Sequence, residues 1–407
     1  MRYDVVIVGA GIGGAVLALD LGRRGWRVAM TDREAAQPRF PRPEILWGAT
    51  LRALEAYGVS DTIRRTAALK LERIELGGEK PWLTFTREDL DAAGVEAWAT
   101  NPGATRTIIA DAAQATGYVD IHRGVAVTEL LHADRRIAGI RGKRGDATLD
   151  LEARLVVGDD GGKSVVRTHL GIPIEFSTFP VEFVTAIVPR WPLPPNRARG
   201  WINFKGSADD LNACVFIPWP GTEGVILLPV PTERAKRVFE QPPEAFWASL
   251  ERLTPLAGAV REQLVFPRDF SRIPRPFGHA ASYVMDGAAL IGDAVHPMTP
   301  AGGQGANASI WDALALSDVA DAALRAGDLS RDRLAPYERV RRSINNRSVS
   351  FSRMARRLFR AGAFVPLAMV PILMGSMNAL VWPKRRLIGS FSRTFVHRRS
   401  RTTKAAY

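Results

Sequence analysis

Three glycines near the start of the chain, Gly9, Gly11 and Gly14, have the spacing of a turn that binds phosphate groups. The first glycine permits a tight turn, the second lets the backbone approach a pyrophosphate, and the third lets a helix pack closely on a strand. The N-terminus of that helix would supply oriented N–H groups for the anion. About 20 residues further on, Asp32 offers a carboxylate to ribose hydroxyl groups. These residues predict a dinucleotide site.

Two later segments also place an aspartate at the end of an apolar run. In residues 156–167, Asp160 and Gly161 follow the run and precede a predicted helix. In residues 290–307, Gly292 and Asp293 precede a loop with further glycines and then another predicted helix. Backbone N–H groups at the start of that helix could hydrogen-bond a cofactor ring or stabilise negative charge on it. Either segment alone is equally typical of an ordinary Asp-Gly turn.

The elements that must position these motifs indicate an α/β fold. Residues 3–8 and 26–31 are apolar strands around a helical segment at 15–24. Such a βαβ unit requires a crossover connection and a parallel sheet that is covered on both faces. The stretch from 174 to 274 is rich in Pro, Trp and Phe, and helical patterns return at 306–360. Within that stretch, short alternating runs predict an antiparallel sheet, with strands at 199–205, 211–217 and 224–230.

The order and spacing of the three motifs resemble the flavoprotein monooxygenases of the aromatic-hydroxylase superfamily, which are similar to p-hydroxybenzoate hydroxylase. The resemblance covers roughly residues 1–345. It implies a Rossmann-like FAD-binding domain with an inserted antiparallel β-sheet substrate domain, followed by a C-terminal helical tail that is basic and apolar. Arg42 matches an arginine that faces the FAD pyrophosphate. The residues expected to bind the cofactor are Gly9, Gly11, Gly13, Gly14, Asp32, Arg33, Arg42, Arg106, Val127, Asp160, Gly161, Gly292, Asp293, Pro300, Gly302, Gly303, Gly305, Ala306 and Asn307.

Three residues depart from the pattern of that superfamily. Asp32 replaces the commoner glutamate and keeps an acceptor for the ribose, although its reach is shorter by one methylene. Asp159 stands where a small residue is more usual, and Ala306 stands where methionine is common. None of these changes removes a group that the cofactor needs.

The resemblance implies an FAD-dependent monooxygenase that uses NADH or NADPH as a transient reductant and O2 as co-substrate. Oxygen transfer would proceed through a flavin hydroperoxide. The tasks of the protein would then be to position the substrate and to exclude water. No universal catalytic side chain is expected, and none is assigned. His296 lies in a run typical of the superfamily, which favours a structural role over that of a general base.

The predicted domains are discontinuous along the chain. The FAD-binding domain is expected to comprise residues 1–75, 100–173 and 275–345. The substrate-binding β domain would comprise residues 76–99 and 174–274, and the tail residues 346–407.

The substrate itself is expected to be a lipophilic aromatic or prenylated small molecule, which the enzyme would hydroxylate or epoxidise. The residues predicted to line its apolar pocket are Trp47, Trp201, Phe204, Phe216 and Trp219, although ordinary packing is the more common role of any single aromatic residue. The same fold would also suit a flavin-dependent halogenase, an isoprenoid reductase or a non-catalytic prenyl-binding protein. Trp191-Pro192-Leu193-Pro194 lacks the Trp-x-Trp-x-Ile-Pro signature of a halogenase.

Charge is distributed unevenly along the chain. The net charge of the 407 residues is +13, yet every acidic residue precedes Arg339 and the body before it is mildly acidic. This distribution argues against a nucleic-acid partner. The single cysteine, Cys214, excludes a disulfide framework, and the spacing of the six histidines predicts no metal site.

The basic tail surrounds residues 361–383, which carry no charge. An apolar segment with basic flanks favours peripheral contact with an anionic membrane surface, while core packing and a true membrane span stay open. The N-terminus has no pattern of a secretory signal. We therefore expect a cytoplasmic protein at the inner face of the membrane.

Overall fold

The fold is that of a computed structural model, which describes residues 1–36, 42–134, 136–203, 210–274, 276–360, 369–393 and 396. Its twenty strands are β1 (Arg2–Val8), β2 (Val28–Asp32), β3 (Glu44–Trp47), β4 (Ala68–Lys70), β5 (Arg73–Gly77), β6 (Pro81–Phe85), β7 (Ala97–Thr100), β8 (Val119–Arg123), β9 (Ala126–Ala133), β10 (Arg136–Arg144), β11 (Ala147–Gly158), β12 (Ile174–Ser177), β13 (Val181–Val188), β14 (Arg197–Ile202), β15 (Ala213–Pro218), β16 (Gly224–Pro231), β17 (Ser271–Ile273), β18 (Phe277–Ala280), β19 (Val284–Met285) and β20 (Ala288–Leu290).

The α-helices of the described residues include both long packing helices and single turns. They are α1 (Ile12–Arg23), α2 (Gly48–Ala53), α3 (Ser60–Thr62), α4 (Arg87–Ala92), α5 (Pro102–Gln114), α6 (Val165–His169), α7 (Thr232–Glu240), α8 (Pro243–Leu253), α9 (Ala257–Arg261), α10 (Gln304–Ala326), α11 (Arg331–Arg360), α12 (Val370–Ala379) and α13 (Val381–Arg393).

The first domain is built on a sheet whose central strands are parallel. Strands β20, β11, β1, β2 and β8 lie side by side in that order, and α1 packs against both α5 and α10. Strand β1 reads as a continuous apolar run because both faces of a parallel sheet are covered, and Val5, Val6 and Ile7 are fully buried. This arrangement places the carboxyl ends of β1, β2 and β11 at one edge, where an α/β sheet binds its ligands.

A second sheet has the strand order β17-β13-β16-β15-β14-β5-β6 and is mostly antiparallel. One of its faces packs on α7, α8 and α9 to form a separate core that is rich in aromatic residues. Side chains alternate between the two faces of a strand. On β13, Val184, Ala186 and Val188 therefore point into that core, while Phe183 and Thr185 point the other way.

Together these sheets confirm the predicted fold class, an α/β dinucleotide-binding domain joined to an antiparallel β domain. The predicted antiparallel runs correspond to β14, β15 and β16. The domain boundaries stay a prediction. Strand β5, which begins at Arg73, pairs with β14 of the second sheet, although the sequence placed residues up to 75 in the first domain.

Of the described residues of the tail, α12 packs on β6 of the second sheet and α13 on α4. The Asn378 side chain accepts from the Thr84 N–H at 3.0 Å and donates to the Trp82 carbonyl at 2.7 Å. Lys384 is buried and forms an ion pair with Asp89 of α4 at 2.7 Å. Within the described residues, no helix combines the length and the apolar character needed to cross a bilayer.

Candidate cofactor and substrate site

A cavity of about 640 Å³ lies between two parts of the fold. One is the edge of the first sheet where its parallel strands end, and the other is the face of the second sheet opposite α7, α8 and α9. Its walls comprise the glycine turn after β1, the ends of β2 and β11, the turn after β20, and residues of β13, β16 and β17. The three sequence motifs therefore open into one space. That space also touches the domain predicted to bind substrate.

The glycine turn after β1 brings backbone against backbone. Gly9 has φ of 101°, and a Cβ there would lie 2.4 Å from the carbonyl oxygen of Asp159. Gly11 precedes the first residue of α1, and a Cβ on it would lie 2.3 Å from Asp159 Oδ2. Side chains are excluded at both positions by contacts within the chain itself. The turn thus presents backbone and the N-terminus of α1 to the cavity, an arrangement that suits a pyrophosphate.

The Asp159 side chain lies inside this turn. Its Oδ2 accepts from the Gly14 N–H at 2.8 Å and so caps the first turn of α1. Burial raises the pKa of the Asp159 carboxyl well above its usual range, and the nearby carboxylates of Asp160 and Asp293 act in the same direction. The Gly14 N–H and Arg106 oppose that shift without cancelling it.

Asp160 supports the loop that follows β11. Its Oδ2 accepts from the N–H groups of Val165 and Val166 at 2.6 and 3.1 Å, at the start of α6. Burial nevertheless raises its pKa. Arg167 of α6 then donates to the carbonyl oxygens of Ala294 and Gly162 at 2.7 and 2.9 Å. Arg167 therefore connects the segment of Asp160 and Gly161 to the turn of Gly292 and Asp293.

The turn that bears Asp293 is held from behind by Asp312 of α10. The carboxylate of Asp312 is fully buried and accepts from the Gly292 N–H at 3.1 Å. It also accepts from Arg341 at 2.7 Å and forms a hydrogen bond with His296. The neighbouring His296 and Arg341 hold the pKa of Asp312 well below its usual range despite its burial. His296 is buried and lies outside the cavity wall, which agrees with a structural role.

Asn307 fastens β3 to the loop before α10. Its Oδ1 accepts from the Trp47 N–H at 3.0 Å and from the Thr50 hydroxyl at 2.7 Å. Its Nδ2 donates to the carbonyl oxygens of Ile45 and Gly303 at 2.8 and 2.7 Å. All of its polar atoms are thus used within the chain, and Asn307 itself does not line the cavity.

Most residues predicted to contact the cofactor do line the cavity. They are Gly9, Gly11, Asp32, Arg33, Arg42, Arg106, Val127, Asp160, Gly161, Asp293, Pro300, Gly303, Gly305 and Ala306. Five others do not line it, namely Gly13, Gly14, Gly292, Gly302 and Asn307.

Charged side chains of opposite sign line the cavity and interact electrostatically. Burial lowers the pKa of Arg106, although Asp32 and Glu44 favour its charged form. Burial raises the pKa of Glu44, whose carboxylate accepts from the Thr100 hydroxyl at 2.9 Å. A positive Arg106 beside the glycine turn would attract an anionic cofactor.

The end of the cavity in the second domain is largely apolar. Phe183 and Thr185 of β13 lie opposite Ile273 of β17 and Leu227 of β16, respectively, and all four line the cavity, as does Met298. Thr185 is fully buried, and within the described residues its Oγ1 has no hydrogen-bond partner. This end offers apolar surface and one hydroxyl group.

The aromatic residues predicted to line the substrate pocket lie elsewhere. Trp201 and Phe216 point into the core beneath α7–α9. Trp47 belongs to the core of the first domain, and Trp219 is buried outside the cavity wall. None of these four lines the cavity, and Phe204 lies outside the described residues. Side chains on β14 and β15 alternate between the two faces of the sheet, and Trp201 and Phe216 lie on the face that α7, α8 and α9 cover.

Sequence reasoning missed several residues of the cavity wall. Phe183, Leu227 and Ile273 are ordinary strand residues, and only the strand register tells which face they occupy. Glu44 and Asp159 left a stronger signal, since Glu44 lies two residues after Arg42 and Asp159 directly precedes Asp160.

The fold and the cavity define a protein that binds a dinucleotide at the junction of two domains. The sequence model of the FAD binding domain family, FAD_binding_3, matches residues 2–352. The chain therefore belongs to this family of FAD-binding flavoproteins, as the three motifs predicted.

Relatives and solved structures agree with this assignment. The chain is 29% identical to rifampicin monooxygenase of Streptomyces venezuelae over 77% of its own length, and spans 63% of that enzyme. It is 27% identical to 6-methylpretetramide 4-monooxygenase of Streptomyces rimosus over 90% of this chain and 87% of that one. The structure of PqsL from Pseudomonas aeruginosa matches with a TM-score of 0.73 and 26% identity, covering 94% of this chain and all of PqsL.

Proposed function

We propose that the protein is an FAD-dependent monooxygenase that uses NAD(P)H and O2 to hydroxylate or epoxidise a lipophilic aromatic or prenylated small molecule. The observation that supports this most directly is the continuous cavity that joins the cofactor motifs to an apolar wall of the second domain. The chain also resembles two named monooxygenases along most of its length.

Successive parts of FAD can be assigned to different residues of the cavity wall. The glycine turn and the N-terminus of α1 would hold the pyrophosphate, Asp32 the adenosine ribose, and Asp293 the ribityl chain. Residues 300–306 would lie beside the isoalloxazine ring. Bound FAD supplies the redox chemistry, in which NAD(P)H provides two electrons, one oxygen atom of O2 enters the substrate and the other leaves as water. The tasks of the chain are to orient the substrate and to exclude water.

Substrate screening tests the activity. Purified holoprotein should oxidise NADH or NADPH slowly alone and faster with a substrate from a panel of lipophilic aromatics, and mass spectrometry should find an oxygenated product. NAD(P)H oxidation that never yields such a product would contradict the proposal. A halogenase would instead require halide, and an isoprenoid reductase would consume no oxygen. The relatives named above are monooxygenases and do not favour either alternative.

The buried hydroxyl of Thr185, which has no hydrogen-bond partner within the described residues, favours a substrate that carries one polar group. A buried hydroxyl without a partner costs free energy, whereas a substrate hydroxyl or carbonyl at the same place would satisfy it. The rest of this wall is apolar, so a mostly apolar ring or prenyl chain fits beside it.

Peripheral membrane contact is a further part of the proposal. Large apolar side chains on α12 and α13 are exposed, among them Ile372 and Trp382, each at 67%. The Arg386 guanidinium lies 5.1 Å from the Trp382 ring centre. An apolar cluster beside basic residues suits an anionic lipid surface, where each basic residue contributes about 1 kcal/mol.

Vesicle sedimentation tests this contact. The protein should sediment with vesicles of phosphatidylcholine and phosphatidylglycerol, and high salt should release part of it. The double substitution Ile372→Ser and Trp382→Ser should reduce sedimentation, whereas Val265→Ser, at an exposed apolar residue of the second domain, should not. Equal sedimentation of all three proteins would refute membrane contact through this cluster.

A further inference from the structure

The glycine turn of this chain surrounds a carboxyl group of the chain itself. Hypothetical Cβ atoms on Gly11 and Gly14 would lie 2.3 and 2.8 Å from Asp159 Oδ2, and one on Gly13 would lie 3.2 Å from Oδ1. A Cβ on Gly292, from the third motif, would also lie 3.2 Å from Oδ1. Four glycines thus form a close shell around Asp159, which itself lines the cavity.

We propose that Asp159 is a proton-linked contact of FAD, so that the cofactor binds together with a proton on this carboxyl group. Oδ2 already accepts from the Gly14 N–H at the helix N-terminus, where the cofactor pyrophosphate would also lie. Two anions cannot share that place without mutual repulsion, whereas a protonated carboxyl group can donate a hydrogen bond to a phosphate oxygen.

The charged groups around Asp159 determine the direction of the effect. Asp160 at the end of β11 and Asp293 after β20 disfavour its charged form, while Arg106 of α5 favours it. From α1 it receives the Gly14 N–H. From α10, Ser309 places an uncharged hydroxyl beside the glycine shell, and the carboxylate of Asp312 accepts from the Gly292 N–H and is paired with Arg341. Burial already raises the pKa of this carboxyl in the protein without cofactor. A bound pyrophosphate adds negative charge and excludes water, and both raise that pKa further.

Linkage then fixes how FAD affinity varies with pH. Because the carboxyl group has the higher pKa in the complex, FAD binding takes up a proton at any pH between the two pKa values. Below that interval affinity is greatest and constant. Within it the dissociation constant should rise by up to about tenfold per pH unit.

The test is the dissociation constant of FAD, measured by flavin fluorescence on dilution of the holoprotein at a series of pH values. The wild type should bind FAD more weakly as pH rises. Asp159→Asn keeps an acceptor for Gly14 and a donor for phosphate without a charge, so its affinity should be nearly independent of pH and exceed that of the wild type at high pH. Asp159→Ala should also lose the pH dependence but bind more weakly than Asp159→Asn, since it has neither hydrogen bond.

Asp32→Asn is the matched control, because it removes another carboxylate of the same cavity. It should weaken FAD binding yet keep the pH dependence. Calorimetry of FAD binding in buffers of different ionisation enthalpy measures the proton uptake of the wild type directly, whether or not the variants fold. Parallel pH profiles for wild type and Asp159→Asn, or no proton uptake by the wild type, would overturn the proposal. Failure of the wild type to bind FAD at any pH would instead refute the cofactor assignment.

Discussion

The two ends of the cavity differ in how their residues are encoded. At the cofactor end, backbone geometry and charge dictate the residue types. Gly11 leaves no room for a side chain beside Asp159, and Asp293 lies on a turn that Asp312 holds through the Gly292 N–H. At the substrate end, the wall consists of common strand residues such as Leu227 and Ile273. Motifs can therefore locate the first end from sequence, whereas the second depends on which face of a strand points inward.

The largest effect should follow from Gly11→Val at the cofactor end. A Cβ there would lie 2.3 Å from the Asp159 carboxylate, so the substitution displaces Asp159 and the glycine turn together. The purified variant should contain almost no flavin, while the wild type should release FAD and not FMN on denaturation. Absorbance spectra of purified proteins measure this.

Gly258→Val is the control for that substitution, because no atom lies within 4 Å of the Cβ that it would add. It should retain FAD. A normal flavin content in Gly11→Val would mean that the turn does not hold the cofactor.

A large loss of stability is expected from Phe216→Ala, at a residue once predicted to contact substrate. Phe216 is fully buried among aromatic residues of the second core, so the cavity left behind should lower the free energy of unfolding by about 3–5 kcal/mol. Urea unfolding measures the loss. The folded fraction should keep its FAD affinity and its KM for substrate.

Phe183→Ala should affect the KM for substrate, because Phe183 lies on the face of the second sheet that lines the cavity and Phe216 on the face that α7, α8 and α9 cover. Phe183 lines the cavity, so its loss should raise the KM with little change in flavin content. A raised KM for Phe216→Ala with no change for Phe183→Ala would reverse the assignment of the faces.

A smaller effect is expected at Asp293. Asp293→Ala removes a carboxylate of the cavity wall while the Asp312 network behind it stays intact. The loss of a charge-assisted hydrogen bond should cost about 1.5–3 kcal/mol, which is tenfold or more in FAD affinity. Fluorescence titration with FAD measures it. Unchanged affinity together with unchanged coupling of NAD(P)H oxidation to product would remove Asp293 from the site.

The smallest effect should come from Thr185→Val, which keeps the shape of the side chain and removes its hydroxyl. If the substrate hydrogen-bonds this group, KM should rise by about fivefold, the equivalent of about 1 kcal/mol. Flavin content should not change. An unchanged KM would place the polar group of the substrate elsewhere.

The same contrast explains what sequence could predict. The βαβ unit and its glycine turn follow from residue types that only a few backbone geometries accept, so the fold class and most of the cavity wall at the cofactor end could be predicted. Asn307 shows the limit of a motif, because the structure places it in the first turn of α10, where it fastens β3 and does not line the cavity.

The substrate wall could not be predicted for a physical reason. Trp201 and Phe183 are both apolar residues on short strands, and only the register of the second sheet sends one to the helix-covered core and the other to the cavity. The tail gives a related lesson. Lys384 belongs to the basic flank that follows the uncharged segment, yet it pairs with Asp89 of α4, a partner more than 290 residues away in sequence.

Labelling with isotopic oxygen tests directly whether FAD and substrate share one cavity in which O2 is activated and transferred. The holoprotein would be supplied with NAD(P)H, a substrate that stimulates NAD(P)H oxidation, heavy O2 and ordinary water, and its product examined by mass spectrometry. The product should acquire one heavy oxygen atom, and Phe183→Ala should lower the amount of this product formed per NAD(P)H oxidised. A product whose added oxygen comes from water, or one without added oxygen, would contradict it.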